Sequence, residues 1–131
     1  MQSPISIVVA EDNDDLRMIM APLIDAVPSL HCVGTTAYLD EVAPLIAQHQ
    51  AQVAVLDIEL RGGSALKQLP ALRARFPGTR FVIHSGHAIP ELMRRSGADA
   101  FVLKSGDFDE LIAAIQSLAG SGNSQQVPPA Q

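Results

Sequence analysis

A chain of 131 residues with 47% hydrophobic content is long enough for one domain with a buried core, and too apolar to be disordered along most of its length. The net charge is −5, four of the acids (Glu11, Asp12, Asp14, Asp15) fall within five positions, and no basic cluster offers a footprint for nucleic acid. Cys32 is the single cysteine, so no internal disulfide can form, and no uninterrupted apolar run reaches the roughly 18 residues that would span a bilayer. The expectation is a cytoplasmic protein with no leader peptide and no membrane contact.

The first apolar run covers residues 5–10 and lacks strict alternation, which predicts a strand buried on both faces of a parallel sheet. Leu16, Ile19, Met20, Leu23, Ile24 and Val27 then recur on one face, predicting a helix over 14–27. A second strand is predicted at 30–34, a helix at 39–50 (Leu39, Val42, Leu45, Ile46) and a third strand at 52–56. A helix at 64–76 (Leu66, Leu69, Leu72, Phe76), a strand at 80–84 and a short helix at 89–96 follow. The last pair is a strand at 99–103 and a helix at 107–119, which opens Asp107-Phe108-Asp109-Glu110, a capping-box variant. Pro22 and Pro44 interrupt the first two helical patterns, but the apolar spacing runs across both, so bends are expected rather than breaks. Strand and helix alternate five times, which gives an α/β, doubly wound (βα)5 domain with no repeat and no second domain. The tail Ser121–Gln131 is rich in Gly, Ser, Gln and Pro and is expected to be disordered.

Polar residues sit where the predicted strands end. Glu11 and Asp12 follow the first run, Asp57 the third, Ser85 the fourth and Lys104 the fifth. In an open α/β sheet ligands bind outside the carboxyl ends of the strands, so these groups would converge. A Mg²⁺ ion needs few protein ligands beyond its waters, and Asp12 and Asp57 suit direct ligation with Glu11 holding a water or the geometry of Asp12. A stretch such as Glu11–Asp15 can merely cap a helix, and Asp14 and Asp15 are assigned that role. Capping does not explain why Asp57 ends another buried strand. Asp57 is then a carboxylate nucleophile that forms an acyl phosphate, kept ionised by the metal and Lys104 against the neighbouring carboxylates. Ser85 is placed to bond a phosphoryl oxygen. A lone strand-end serine or lysine would usually carry no such role; the combination gives them one.

The segments Val9-Ala10-Glu11-Asp12, Val55-Leu56-Asp57-Ile58-Glu59-Leu60, His84-Ser85-Gly86 and Gly97-Ala98-Asp99-Ala100-Phe101-Val102-Leu103-Lys104 make residues 5–119 resemble a response regulator receiver domain of bacterial two-component (phosphorelay) signalling. The resemblance implies a flavodoxin-like single domain over residues 1–120, with a parallel five-stranded sheet in the order 2-1-3-4-5. It implies that Asp57 takes a phosphoryl group from a histidine kinase or histidine phosphotransfer protein and switches a surface that binds a protein target. Glu11 and Asp12 would be the acidic pair, and the Glu59 carbonyl a further metal ligand. Lys104 would bind the phosphate, Ser85 would be the switch hydroxyl, and Phe101 the rotating aromatic, although an aromatic in a strand is more often plain core. Such a module is not an enzyme in the ordinary sense, but self-catalysed phosphorylation and autodephosphorylation of Asp57 are expected.

The chain departs from the resemblance in places. Arg61 and Ala65 stand where proline and glycine are usual after the acceptor, so the loop below Asp57 is expected to differ in shape. Ser105 replaces the proline that often follows the lysine, and without proline a trans bond is expected. Residues 86–96 are short for a fourth helix, which makes the output face atypical. His31, His84 and His49 read as structural, His87 lies at the mouth of the site, and Cys32 reads as a small core residue. Other readings are a phosphorylation-independent adaptor on the same fold, or a receiver segment of a larger regulator. A flavin carrier is disfavoured because the acidic loop after the first strand would repel a phosphate without a metal. A haloacid-dehalogenase-type phosphatase would place aspartate where this chain has Glu59.

Overall fold

The computed structural model describes residues 3–87, 90–105 and 107–124. The apolar runs form the strands β1 (Ile5–Ala10), β2 (Leu30–Thr36), β3 (Val53–Leu56), β6 (Arg80–Ser85) and β7 (Ala100–Leu103) of a single parallel sheet, ordered β2-β1-β3-β6-β7. Two further strands, β4 (Glu59–Leu60) and β5 (Gly63–Ser64), pair only with each other as a small antiparallel hairpin directly after Asp57. Counted without that hairpin, the sheet has the expected order 2-1-3-4-5. Helices α1 (Asp14–Asp25), α2 (Val42–His49), α3 (Ala65–Arg75), α4 (Pro90–Arg95) and α5 (Phe108–Ser124) complete the alternation.

The absence of strict alternation in the strands has its cause in the two covered faces. Ile7, Val9, Val55 and Val82 pack against Met20 and Ile24 of α1 and Leu111 and Ile115 of α5. Their neighbours in the pleat, Val8, Ala54, Leu56, Phe81 and Ile83, pack on the opposite side against Val42 and Ile46 of α2 and Leu69 and Leu72 of α3. Each large side chain so buried stabilises the fold by about 1.5–3 kcal/mol, and together they fix the register. Ala10 pairs with Leu56, Leu56 with Ile83, and Ser85 with Leu103. The residues that follow these strands therefore emerge at one edge of the sheet.

Local chemistry corrects some expectations. The N-cap of α1 is Asn13, whose Oδ1 accepts from the Leu16 N–H at 2.9 Å; Asp14 and Asp15 lie in the first turn and do not cap it. Helix α1 continues through Pro22. A 3-10 turn over Leu39–Glu41 takes up the start of the second helical pattern, so α2 begins at Val42 and Pro44 falls in its first turn, where no backbone donor is lost. Helix α3 contains Pro70, which the pattern did not single out. Helix α5 runs to Ser124, past the predicted end at 119, and takes in the first residues of the tail; residues 125–131 lie outside those described. The Lys104–Ser105 bond is trans, as expected without proline. Among the described residues no helix is long and apolar enough to cross a membrane.

Candidate functional site

Backbone pairing carries the sheet one step past its ends and so builds the site. The Asp57 N–H donates to the Ala10 carbonyl at 2.9 Å, the Glu11 N–H to Thr36 at 2.9 Å, and the Lys104 N–H to Ser85 at 2.7 Å. Glu11 is 1% exposed and Asp57 8% exposed, so both carboxylates are shut away from most solvent, while Asp12 is half-buried. Carboxylate oxygens of Glu11, Asp12 and Asp57 lie within 4.8 Å of one another. Lys104 Nζ approaches from β7, 2.9 Å from Glu11 Oε1 and 3.1 Å from Asp57 Oδ2. Glu11 Oε2 accepts from the Asn13 N–H at 3.0 Å, whereas Oε1 is buried with no aligned hydrogen bond, so its contact with Lys104 is ionic.

Three clustered carboxylates thus stand beside one ammonium, and the setting shows in the protonation of Asp57. Burial pushes the Asp57 carboxyl up to about 7, reinforced by hydrogen bonding with Asp12 and Glu11 and by the charge of Glu11, with Lys104 pulling the other way. Burial works against the Lys104 ammonium, yet its contacts with Glu11 and Asp57 hold its pKa above the ordinary lysine value. An all-oxygen donor set in which three clustered carboxylates stand beside one ammonium carries surplus negative charge and fits a hard divalent cation.

The structure therefore brings together four of the residues singled out in the sequence: Glu11, Asp12, Asp57 and Lys104. Ser85 is buried at the end of β6, but its hydroxyl is engaged locally, donating to the His87 carbonyl at 3.0 Å and accepting from the His87 N–H at 3.1 Å. Phe101 is half-buried in β7 against the core shared with α2 and α3. Glu59 lies exposed in the hairpin, opposite Ser64.

Two residues around the site carry more than the sequence suggested. Arg61 reaches back from the hairpin to the Asp12 carbonyl, 3.2 Å away, and to Asp14 Oδ1, 3.0 Å away. Its position four residues after Asp57 was visible in the sequence, but its reach depends on the fold of the hairpin. His84 is 4% exposed, its ring 6.4 Å from that of Phe108, and its Nδ1 is buried without a hydrogen bond among the described residues. Burial, reinforced by the Lys104 charge and opposed by Glu11, pushes its pKa down to about 4. A histidine in an apolar run gave no sign of this.

Comparison with known proteins agrees with the geometry. The family model of the response regulator receiver domain matches residues 7–116. The nitrate/nitrite response regulator protein NarL of Escherichia coli strain K12 is 26% identical over 123 residues, which cover 90% of this chain and 56% of that protein. The chain spans little more than half the length of such curated relatives. Among solved structures, a DNA-binding response regulator of the LuxR family from Staphylococcus aureus superposes with a TM-score of 0.79 at 28% identity, covering 86% of this chain and 97% of that one. The signal receiver domain of the putative response regulator NarL from Mycobacterium tuberculosis shares the fold, with a TM-score of 0.83 at 24% identity over 91% of this chain and 98% of that one. With 110 residues matched to the family model and the acidic cluster at the expected strand ends, this chain belongs to the response regulator receiver domains of two-component signalling.

Proposed function

We propose that Asp57 is the phosphoryl acceptor of this receiver domain and that a Mg²⁺ ion is held by Asp12, Asp57 and the Glu59 carbonyl, with Glu11 fixing a bound water. The observation that carries this reading is the convergence of the Glu11, Asp12 and Asp57 carboxylates beside Lys104 Nζ. The donor is a phosphohistidine on a histidine kinase or a histidine phosphotransfer protein. An Asp57 oxygen attacks phosphorus; the new P–O bond forms as the P–N bond breaks, and the imidazole leaves with the electron pair and takes up a proton from solvent. The bound ion supplies charge neutralisation on the transferring oxygens. Lys104 adds a second positive charge from the protein itself, already in contact with Asp57. Ser85 exchanges its bonds with the His87 main chain for one to a phosphoryl oxygen, Phe101 follows it, and the changed surface binds a protein target in the cytoplasm. Small phosphodonors load the same residue, and water discharges it without a second enzyme.

Intact-mass measurement after incubation with acetyl phosphate and Mg²⁺ tests this. One phosphoryl adduct is expected, absent without Mg²⁺ and absent in Asp57→Ala. An adduct that survives Asp57→Ala contradicts the assignment, and no adduct on the wild type under any condition favours the adaptor reading.

A further inference from the structure

Arg61 is the first residue of the two-residue turn that closes the β4–β5 hairpin. Its backbone is fixed from both directions: its N–H donates to Ala37 at 2.9 Å, and its carbonyl accepts from the Leu39 N–H at 2.9 Å. The return of the chain uses Gly62 at φ +102° and Gly63 at φ +149°, and a Cβ at Gly63 would press on Leu39 Cδ2 at 3.1 Å. From this anchored position the guanidinium crosses to the loop after β1. Nη2 bonds both the Asp12 carbonyl at 3.2 Å and Asp14 Oδ1 at 3.0 Å, and the Tyr38 ring lies beneath it, 5.6 Å from Cζ. Arg17 of α1 grips the same loop from the other side, with Nη2 on Asp14 Oδ1 at 2.8 Å and Nη1 on the Glu11 carbonyl at 2.9 Å. Asp14 is therefore the shared anchor of two guanidinium groups, and each group holds one main-chain carbonyl of the acidic pair.

A cation placed beside a divalent-metal site opposes metal binding through Coulomb repulsion, so its charge alone gives the site no benefit. We propose that Arg61 is a positioning residue: locked by Asp14, it holds the main chain of Asp12 so that the Asp12 carboxylate meets those of Glu11 and Asp57. The inference rests on reading those three carboxylates as a Mg²⁺ site. It also changes the role of Asp14 from solvated helix-start residue to part of the clamp.

The sign of one measurement separates positioning from charge. In calorimetric Mg²⁺ titration of the intact chain, Arg61→Gln should bind about fivefold more weakly, the scale of an exposed ion-pair network. A pure charge effect would make it bind more tightly. Arg61→Lys keeps the charge but loses the planar guanidinium that lies over Tyr38 and sets Nη2 between the Asp12 carbonyl and Asp14 Oδ1, so it should be as weak as Arg61→Gln, and it carries the test if the glutamine variant misfolds. In an Asp14→Asn background the further loss from Arg61→Gln should shrink below about twofold, because the anchor is already gone. Unchanged or tighter binding by both Arg61 variants overturns the proposal, as does a full Arg61→Gln effect in the Asp14→Asn background. A wild type that binds no Mg²⁺ overturns the metal-site reading itself, which is a distinct result.

Discussion

The two halves of the site rim are held in different ways. On the β1/β3 side the carboxylates are fixed from several directions: Lys104 contacts Glu11 and Asp57, the Asn13 N–H bonds Glu11, and Arg17 and Arg61 grip the carbonyls of Glu11 and Asp12. On the β6/β7 side, among the described residues, the hydrogen bonds of Ser85 Oγ stay within its own loop, His84 Nδ1 has no partner, and the ion pairs of the short α4 (Pro90–Arg95) are internal, Glu91 to Arg94 and Arg95. The acidic half is thus held from several directions, whereas Ser85 would give up only two local bonds on turning, as the switch role proposed for it requires.

Several substitutions would break or sharpen that contrast. The largest effect is expected from Asp12→Ala, which removes one of the two carboxylates proposed as direct ligands. Mg²⁺ affinity should fall about a hundredfold or more, several kcal/mol, in calorimetric titration. A loss of only a few fold would mean that the preformed half is not the metal site.

Asp57 and His84 should then give opposite pH dependences in the metal-free protein. The folded-state pKa of Asp57 is pushed up to about 7 from 3.8, so its ionised form costs stability above pH 7, and that cost fades as pH falls toward 4. Asp57→Asn should therefore stabilise the metal-free protein at pH 8 by of order 2 kcal/mol, with the gain shrinking by pH 4.5 and being offset by saturating Mg²⁺. His84 has its folded-state pKa pushed down to about 4 from 6.5, so stability present above pH 6.5 is lost as the unfolded chain takes up a proton between pH 6.5 and 4. In the wild type these two slopes oppose each other across that window. His84→Leu should remove the acid-side loss, so the variant should gain stability on acidification from pH 7 to 5. Urea denaturation at stepped pH checks both, and parallel curves for wild type and His84→Leu would show that His84 does not stay neutral when folded.

The smallest effect belongs to the looser half. Ser85→Ala removes two local bonds to the His87 main chain and should cost about 0.5–1.5 kcal/mol in denaturation while leaving Mg²⁺ affinity within twofold. A large loss of metal affinity in this variant would show that the halves are not separable.

Most of this was legible in the sequence, for a physical reason. Both faces of the sheet are covered, so its strands appear as continuous apolar runs, and a polar residue that ends such a run must lie at the sheet edge; Glu11, Asp57, Ser85 and Lys104 were placed that way. The tertiary reach of individual side chains was not legible. Asn13 and Asp14 are both good caps, and only the folded loop shows that Asn13 caps α1 while Asp14 pairs with two arginines. The β4–β5 hairpin has strands two residues long, too short to leave a periodic pattern, so the departure at Arg61 was visible but its contacts with Asp12 and Asp14 were not. Pro44 looked disruptive because the 3-10 turn over Leu39–Glu41 moves the start of α2, and short turns of that kind leave little signature.

The most direct test of the account is a crystal structure of this chain grown with Mg²⁺ and beryllofluoride. The account predicts one metal ion bound by the Asp12 and Asp57 carboxylates, the beryllofluoride group on Asp57 in contact with Lys104, and Ser85 Oγ turned from His87 to that group. A metal ion bound away from Asp12 and Asp57, or a beryllofluoride group on any other carboxylate, would contradict it.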